Sequence, residues 1–137
     1  NERVVSVQVT DGHGPVVTVM VGAIGVGHIS MSYDERILTN AGGEPRQYFY
    51  GTDGPTLERG GELGTFHMGS TAIVFVPAGM STGPLVEAGA TVRVGSAMLG
   101  IAASLPTESQ SVAGDNAPAV AAVTDTGAAG RDPSGGN

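Results

Sequence analysis

Glycine breaks up every apolar stretch in the first hundred residues, and that punctuation limits the fold more than any other feature. There are 23 glycines in 137 residues. Inside a helix each would cost about 1 kcal/mol relative to alanine, and no segment keeps a helical period flanked by caps. Short strands tolerate the pattern, because each can end where a glycine turns the chain. "VVSVQVT" (4–10) alternates, with Val5, Val7 and Val9 on one face and Ser6, Gln8 and Thr10 on the other, as a half-buried antiparallel strand should. "DGHGP" is turn chemistry. "PVVTVMVGA" and "IGVGHISM" read as two further strands, "YDERILTNAGGEPRQ" as a polar loop or short helix, and "YFYG" as a strand. "ATVRV" and "AMLGIAA", with a "GS" turn between them, close the folded part. Residues 1–103 therefore read as one all-β domain, mainly antiparallel, a sandwich or a partly closed barrel. The recurrent Val-Gly steps are taken as strand ends, bulges and tight turns rather than as a ligand cradle.

From residue 104 to 137 the composition changes. Leu105, Val112, Val120 and Val123 are the only sizeable apolar side chains there, with no aromatic. Burying four such groups returns far less than the backbone entropy of ordering the segment. The expectation for 104–137 is a disordered, low-complexity tail.

Composition then removes whole classes of function. The net charge is -7 and the six basic residues are scattered arginines. No basic stripe exists to neutralise phosphates, so nucleic acid is not an expected partner. An anionic membrane would repel this chain on average. With no cysteine, disulfides, thiolate metal sites and cysteine nucleophiles are excluded. Lysine is absent too, which excludes a Schiff-base lysine, a Walker-type lysine, and carriers of biotin, lipoate or pyridoxal phosphate. His28 with Asp34 and Glu35 matches no compact ligand spacing, so no metal is expected. There is no run near the length of a spanning helix, no charged-then-apolar leader is expected from the opening residues, and the first residue is not Met. The expectation is a processed product or part of something longer.

One stretch carries chemistry. In "GTFHMGSTAIVFV" (64–76) a Gly-Ser-Thr step interrupts an apolar strand. "TAIVFV" (71–76) is apolar on both faces, which predicts a buried strand with Ser70 at its mouth. Gly69 allows a bent backbone closed to other residues. The Ser70 hydroxyl could then attack the Gly69 carbonyl, exchanging amide for ester in an effectively intramolecular step. Loss of the Ser70 α-hydrogen and β-elimination would cut the chain after Gly69 and leave a dehydroalanine, which tautomerises and hydrolyses to a pyruvoyl group. Such a group offers an α-keto carbonyl that forms a Schiff base with a substrate amine, the service pyridoxal phosphate performs elsewhere. Gly-Ser pairs are common and most are turns, so the dipeptide permits this chemistry without requiring it. His67, three residues earlier, should point away from Ser70 in an extended strand and reads as a structural or surface residue. The aromatics Tyr33, Tyr48, Phe49 and Tyr50, with Arg36 and Arg46, suit either a lipid interface or hairpin packing, and packing is the preferred reading.

Three motifs, "NERVVSVQVTDGHGPVVTVMVGAIGVGHISM" (1–31), "GGELGTFHMGSTAIVFVPAG" (60–79) and "GATVRVGSAMLGI" (89–101), resemble in order and spacing those of the phosphatidylserine decarboxylase proenzyme family. The resemblance covers about residues 1–103 and implies a pyruvoyl-forming β domain, part of an α+β decarboxylase core. It implies that Ser70 becomes the pyruvoyl group, that Gly69 supplies the carbonyl at the cut, and that Thr71 is the third motif residue. It further implies conversion of phosphatidylserine to phosphatidylethanolamine, with no metal, and a peripheral location on the cytoplasmic face of a bacterial membrane. The implied partners are the upstream part of the proenzyme, which carries the cleavage base and the membrane contacts, and phosphatidylserine itself; a homodimer is left open. Substrate-contact residues are not assigned. The rival reading is an uncleaved, non-enzymatic β-sheet domain for binding or scaffolding, distinguished by an intact 69–70 bond.

Overall fold

A computed structural model describes residues 1–41, 44–68, 71–103 and 119–124. Strands β1 (Arg3–Thr10) and β2 (Gly14–Val21) form a hairpin in which Arg3 faces Val21 and Thr10 faces Gly14. Its turn is the expected "DGHGP", with Gly12 and Gly14 at φ 73° and 77°, where a side chain would be strained. β3 (His28–Met31) pairs with β5 (Gly64–Met68), β4 (Arg46–Tyr50) follows the polar loop, and β6 (Thr71–Phe75) lies along β2. β7 (Ser81–Pro84) pairs with β8 (Leu99–Ile101), and β9 (Ala119–Thr124) runs between β1 and β4. The result is a five-stranded antiparallel sheet, ordered β4-β9-β1-β2-β6, with two separate two-stranded ribbons. The chain is all-β as expected, its sheets open rather than closed into a barrel, and the described residues contain no helix.

The core lies on one face of the large sheet. Val4 and Met20 project from it onto Ile29 and Met31 of β3 and onto Ile37, and Tyr33, Tyr48, Tyr50, Leu63 and Phe66 pack around them. Gly64 is required there, because a Cβ would stand 2.6 Å from the Ser30 carbonyl oxygen and 2.8 Å from the Met31 sulfur. The aromatics of the 33–50 region thus serve packing, Phe49 excepted.

Four local expectations are corrected. In β1 the buried positions are Val4 and Ser6, while Val9 is 64% exposed. The polar side faces inward because its groups find partners: Ser6 Oγ lies 3.2 Å from the Tyr33 hydroxyl and accepts from Gln8 Nε2 at 3.1 Å. β6 is exposed at every position; among the described strands it is an edge strand paired only with β2. "ATVRV" forms no strand; Ser96 N–H closes a turn on the Arg93 carbonyl at 3.0 Å, and Val94 stands free. Finally, Ala119–Thr124 is a strand inside the expected tail, its backbone laddered to β1 and β4. Main-chain pairing between two waiting strand edges needs no large side chains, which a count of apolar side chains does not register. The rest of 104–137 lies outside the described residues.

Candidate functional site

Gly69 and Ser70, the expected cleavage pair, lie outside the described residues. Their neighbours are placed by strand register. Met68, at the end of β5, is opposite His28, and Thr71, at the start of β6, is opposite Val21, which in turn faces Arg3. This end of the sheets is built by a close glycine crossing. A Cβ on Gly22 would stand 2.7 Å from the Gly27 Cα, and one on Gly27 would meet the Gly22 Cα at 2.8 Å. Gly22 N–H donates to the Glu2 carbonyl at 2.9 Å, and Gly27 N–H to the Ala23 carbonyl at 2.8 Å. The "VGAIGVG" repeat therefore permits one backbone to pass another.

Three polar features collect here. His28 and His67 stand with ring centroids 4.5 Å apart, and His67 Nε2 is 2.8 Å from Ser30 Oγ. A bulge between His28 and Ile29 brings the two rings to one side. His67 is exposed, while its neighbour Phe66 turns into the core. Glu2 Oε2 is a buried carboxylate oxygen without a hydrogen-bond partner among the described residues. Thr71 and Met68 are both exposed. Sequence reasoning missed the histidine pair, which is 39 positions apart and depends on a bulge that no composition signal marks.

A second polar cluster is structural. Asp34 accepts from Arg36 Nη2 at 2.6 Å and Nε at 2.9 Å, and from the Tyr50 hydroxyl. The Arg36 hydrogen bond is the main reason its carboxyl is held far below the usual carboxylate range. Burial, then the bond to Asp34, pushes the Tyr50 phenol well above its usual range. Arg36 also lies 5.1 Å over the Tyr48 ring. Among the described residues no three His, Asp or Glu side chains gather as a metal site. A cleft of about 1000 Å³, lined by Ser6, Gln8, Thr10, His13, Tyr33 and Arg59 among others, opens toward the hairpin-turn end of β1, away from Thr71.

Residues 1–100, which contain the Gly-Ser-Thr step and both strands flanking it, match the family described as phosphatidylserine decarboxylase. The chain belongs to that family. It is 43% identical over 105 residues to the phosphatidylserine decarboxylase proenzyme of Anaeromyxobacter sp. (strain K), an alignment covering 74% of this chain and 36% of that relative. The proenzyme of Variovorax paradoxus (strain S110) is 37% identical over 103 residues, with the same coverage of each chain. That of Myxococcus xanthus (strain DK1622) is 40% identical over 96 residues, covering 69% of this chain and 33% of the relative. The chain thus spans about a third of the length of the curated relatives it matches. No solved structure matches it.

Proposed function

We propose that this decarboxylase-family chain takes part in converting phosphatidylserine to phosphatidylethanolamine, after cutting itself between Gly69 and Ser70. The observation that carries the reading is the family match over residues 1–100, with the Gly-Ser-Thr step inside it. Ser70 is the nucleophile: its oxygen attacks the Gly69 carbonyl, the amide becomes an ester, removal of the Ser70 α-hydrogen expels the Gly69 carboxylate, and the dehydroalanine left behind tautomerises to an imine that takes up water and releases ammonia to give the pyruvoyl group. Gly69 becomes the new carboxy terminus. Thr71 anchors the following strand through its pairing with Val21.

The pyruvoyl group left at Ser70 would supply an electron-withdrawing carbonyl for the substrate amine as carbon dioxide departs. The residues present fit such a group. Met68 and Thr71 are exposed on either side of the step, so a base or a lipid headgroup has an approach to this end of the sheets. With no lysine in the chain, no lysine side-chain amine competes with the substrate amine for such a carbonyl. The base that starts cleavage is assigned to the upstream part of a family-length protein, and with it the contact to a membrane surface on the cytoplasmic side. No described helix is long and apolar enough to cross a membrane.

The test is release of carbon dioxide from carboxyl-labelled phosphatidylserine in detergent micelles by the protein joined to its natural upstream sequence. Activity that Ser70→Ala reduces to background supports the proposal. Equal release above background from both proteins would remove Ser70 from the chemistry, and none from either would leave the non-enzymatic β domain as the better account.

A further inference from the structure

The strand register exposes a surface that nothing in the described structure covers. Val5 and Val7 of β1 face Val19 and Val17 of β2, which face Ile73 and Phe75 of β6, so all six share one side of the large sheet. This is the side opposite the core, since the buried Val4 and Met20 alternate with them. None of the six is buried; Phe75 is 57% exposed, and Phe49, on the same side of β4 by register, is 64% exposed. Its charged member in β1, β2 and β6 is Arg3, at one end. Beside it, β6 is apolar on both faces and ends the sheet with an unpaired edge among the described strands. Soluble proteins rarely leave a contiguous apolar face or a hydrophobic strand edge open.

We infer that this face and the β6 edge are the docking surface for a segment of the family-length polypeptide that these 137 residues do not include, a segment presenting an uncharged apolar side. The chain spans 36% of its Anaeromyxobacter relative, so most of such a protein is further polypeptide. A second copy is a poorer occupant. Five strands about 4.8 Å apart and about 17 Å long present on the order of 400 Å², so two copies would bury roughly 800 Å², short of the ~1,200 Å² of stable pairs. A tethered segment needs less area, because it loses little translational freedom on docking. A lipid surface fits poorly as well, since the face offers no basic cluster and the chain carries a net charge of -7.

The inference rests on family membership and not on cleavage, and its test keeps the two apart. The chain has no cysteine, so single cysteines report accessibility cleanly. Val9→Cys and Phe75→Cys probe the face, and Ile24→Cys and Val94→Cys, at strongly exposed positions away from it, serve as controls. Each is made in a Ser70→Ala background, in the 137-residue chain and in the protein with its natural flanking sequence, and labelled with a thiol reagent. The expected result is labelling at 9 and 75 slowed at least tenfold by the flanking sequence, with 24 and 94 unchanged. Equal rates in both proteins would overturn the inference. So would protection of the short chain that grows with its own concentration, which means a second copy, or protection that needs phosphatidylserine–phosphatidylcholine vesicles, which means a lipid surface.

Discussion

Thr39 is 1% exposed, yet it carries a hydroxyl into the core beside Ile29. Its Oγ1 accepts the Ile29 N–H at 2.9 Å while its own N–H donates to the Ile29 carbonyl at 3.0 Å, so one residue of the irregular loop substitutes for a strand partner. Thr39→Val keeps the shape and orphans the Ile29 N–H, and urea unfolding should show a loss of about 1–3 kcal/mol; a change within about 0.5 kcal/mol, the usual range for a surface site, would contradict that role. His67 makes the opposite case. It is exposed and tied to Ser30, with its neighbour Phe66 inward, while Ser70, from which alternation would point it away, lies outside the described residues. His67→Ala in a family-length protein should leave cleavage largely intact on a denaturing gel, and an uncut product would make this histidine part of the machinery. The residue types at the candidate step were legible, since Gly-Ser-Thr is a chemical statement. The His28–His67 pairing was not, because a bulge decides it.

At the scale of elements, alternation located β1 but reversed its faces. Apolarity alone favoured Val5, Val7 and Val9 as the inner row, whereas hydrogen bonds from Tyr33 and Gln8 make Ser6 an acceptable inner residue. "TAIVFV" was legible as a strand, but the burial expected from its two apolar faces is not met, since every position of β6 is exposed. The loop from 33 to 39 is held to β4 by the Tyr50 hydroxyl, which donates to Asp34, and by the Tyr48 hydroxyl, which donates to the Arg36 carbonyl at 3.2 Å. Asp34 has a folded pKa below its unfolded value near 3.9, so the unfolded state binds the extra proton in acid. Its stabilising contribution is therefore present at neutral pH and is lost as pH falls through the carboxylate range toward the folded value. Asp34→Asn should be less stable than the unaltered chain at pH 7, with the gap narrowing steadily below about pH 4. A gap of constant size from pH 7 to pH 3 in urea titrations would remove Asp34 from this role.

At the scale of the whole molecule, the all-β class followed from glycine punctuation, since helices were excluded before any strand was placed. Strand order was not legible: β9 enters between β1 and β4 from a stretch of small residues, and only backbone pairing places it there. The family was legible from three ordered motifs, and the match over residues 1–100 bears it out. The account's central claim is that the 69–70 bond is made to be broken by Ser70. Intact mass spectrometry of the protein joined to its natural upstream sequence, beside its Ser70→Ala variant, tests it most directly. The account predicts two fragments parted after Gly69, the second with a blocked pyruvoyl end, and a single uncut mass for Ser70→Ala. One uncut mass in both would contradict it.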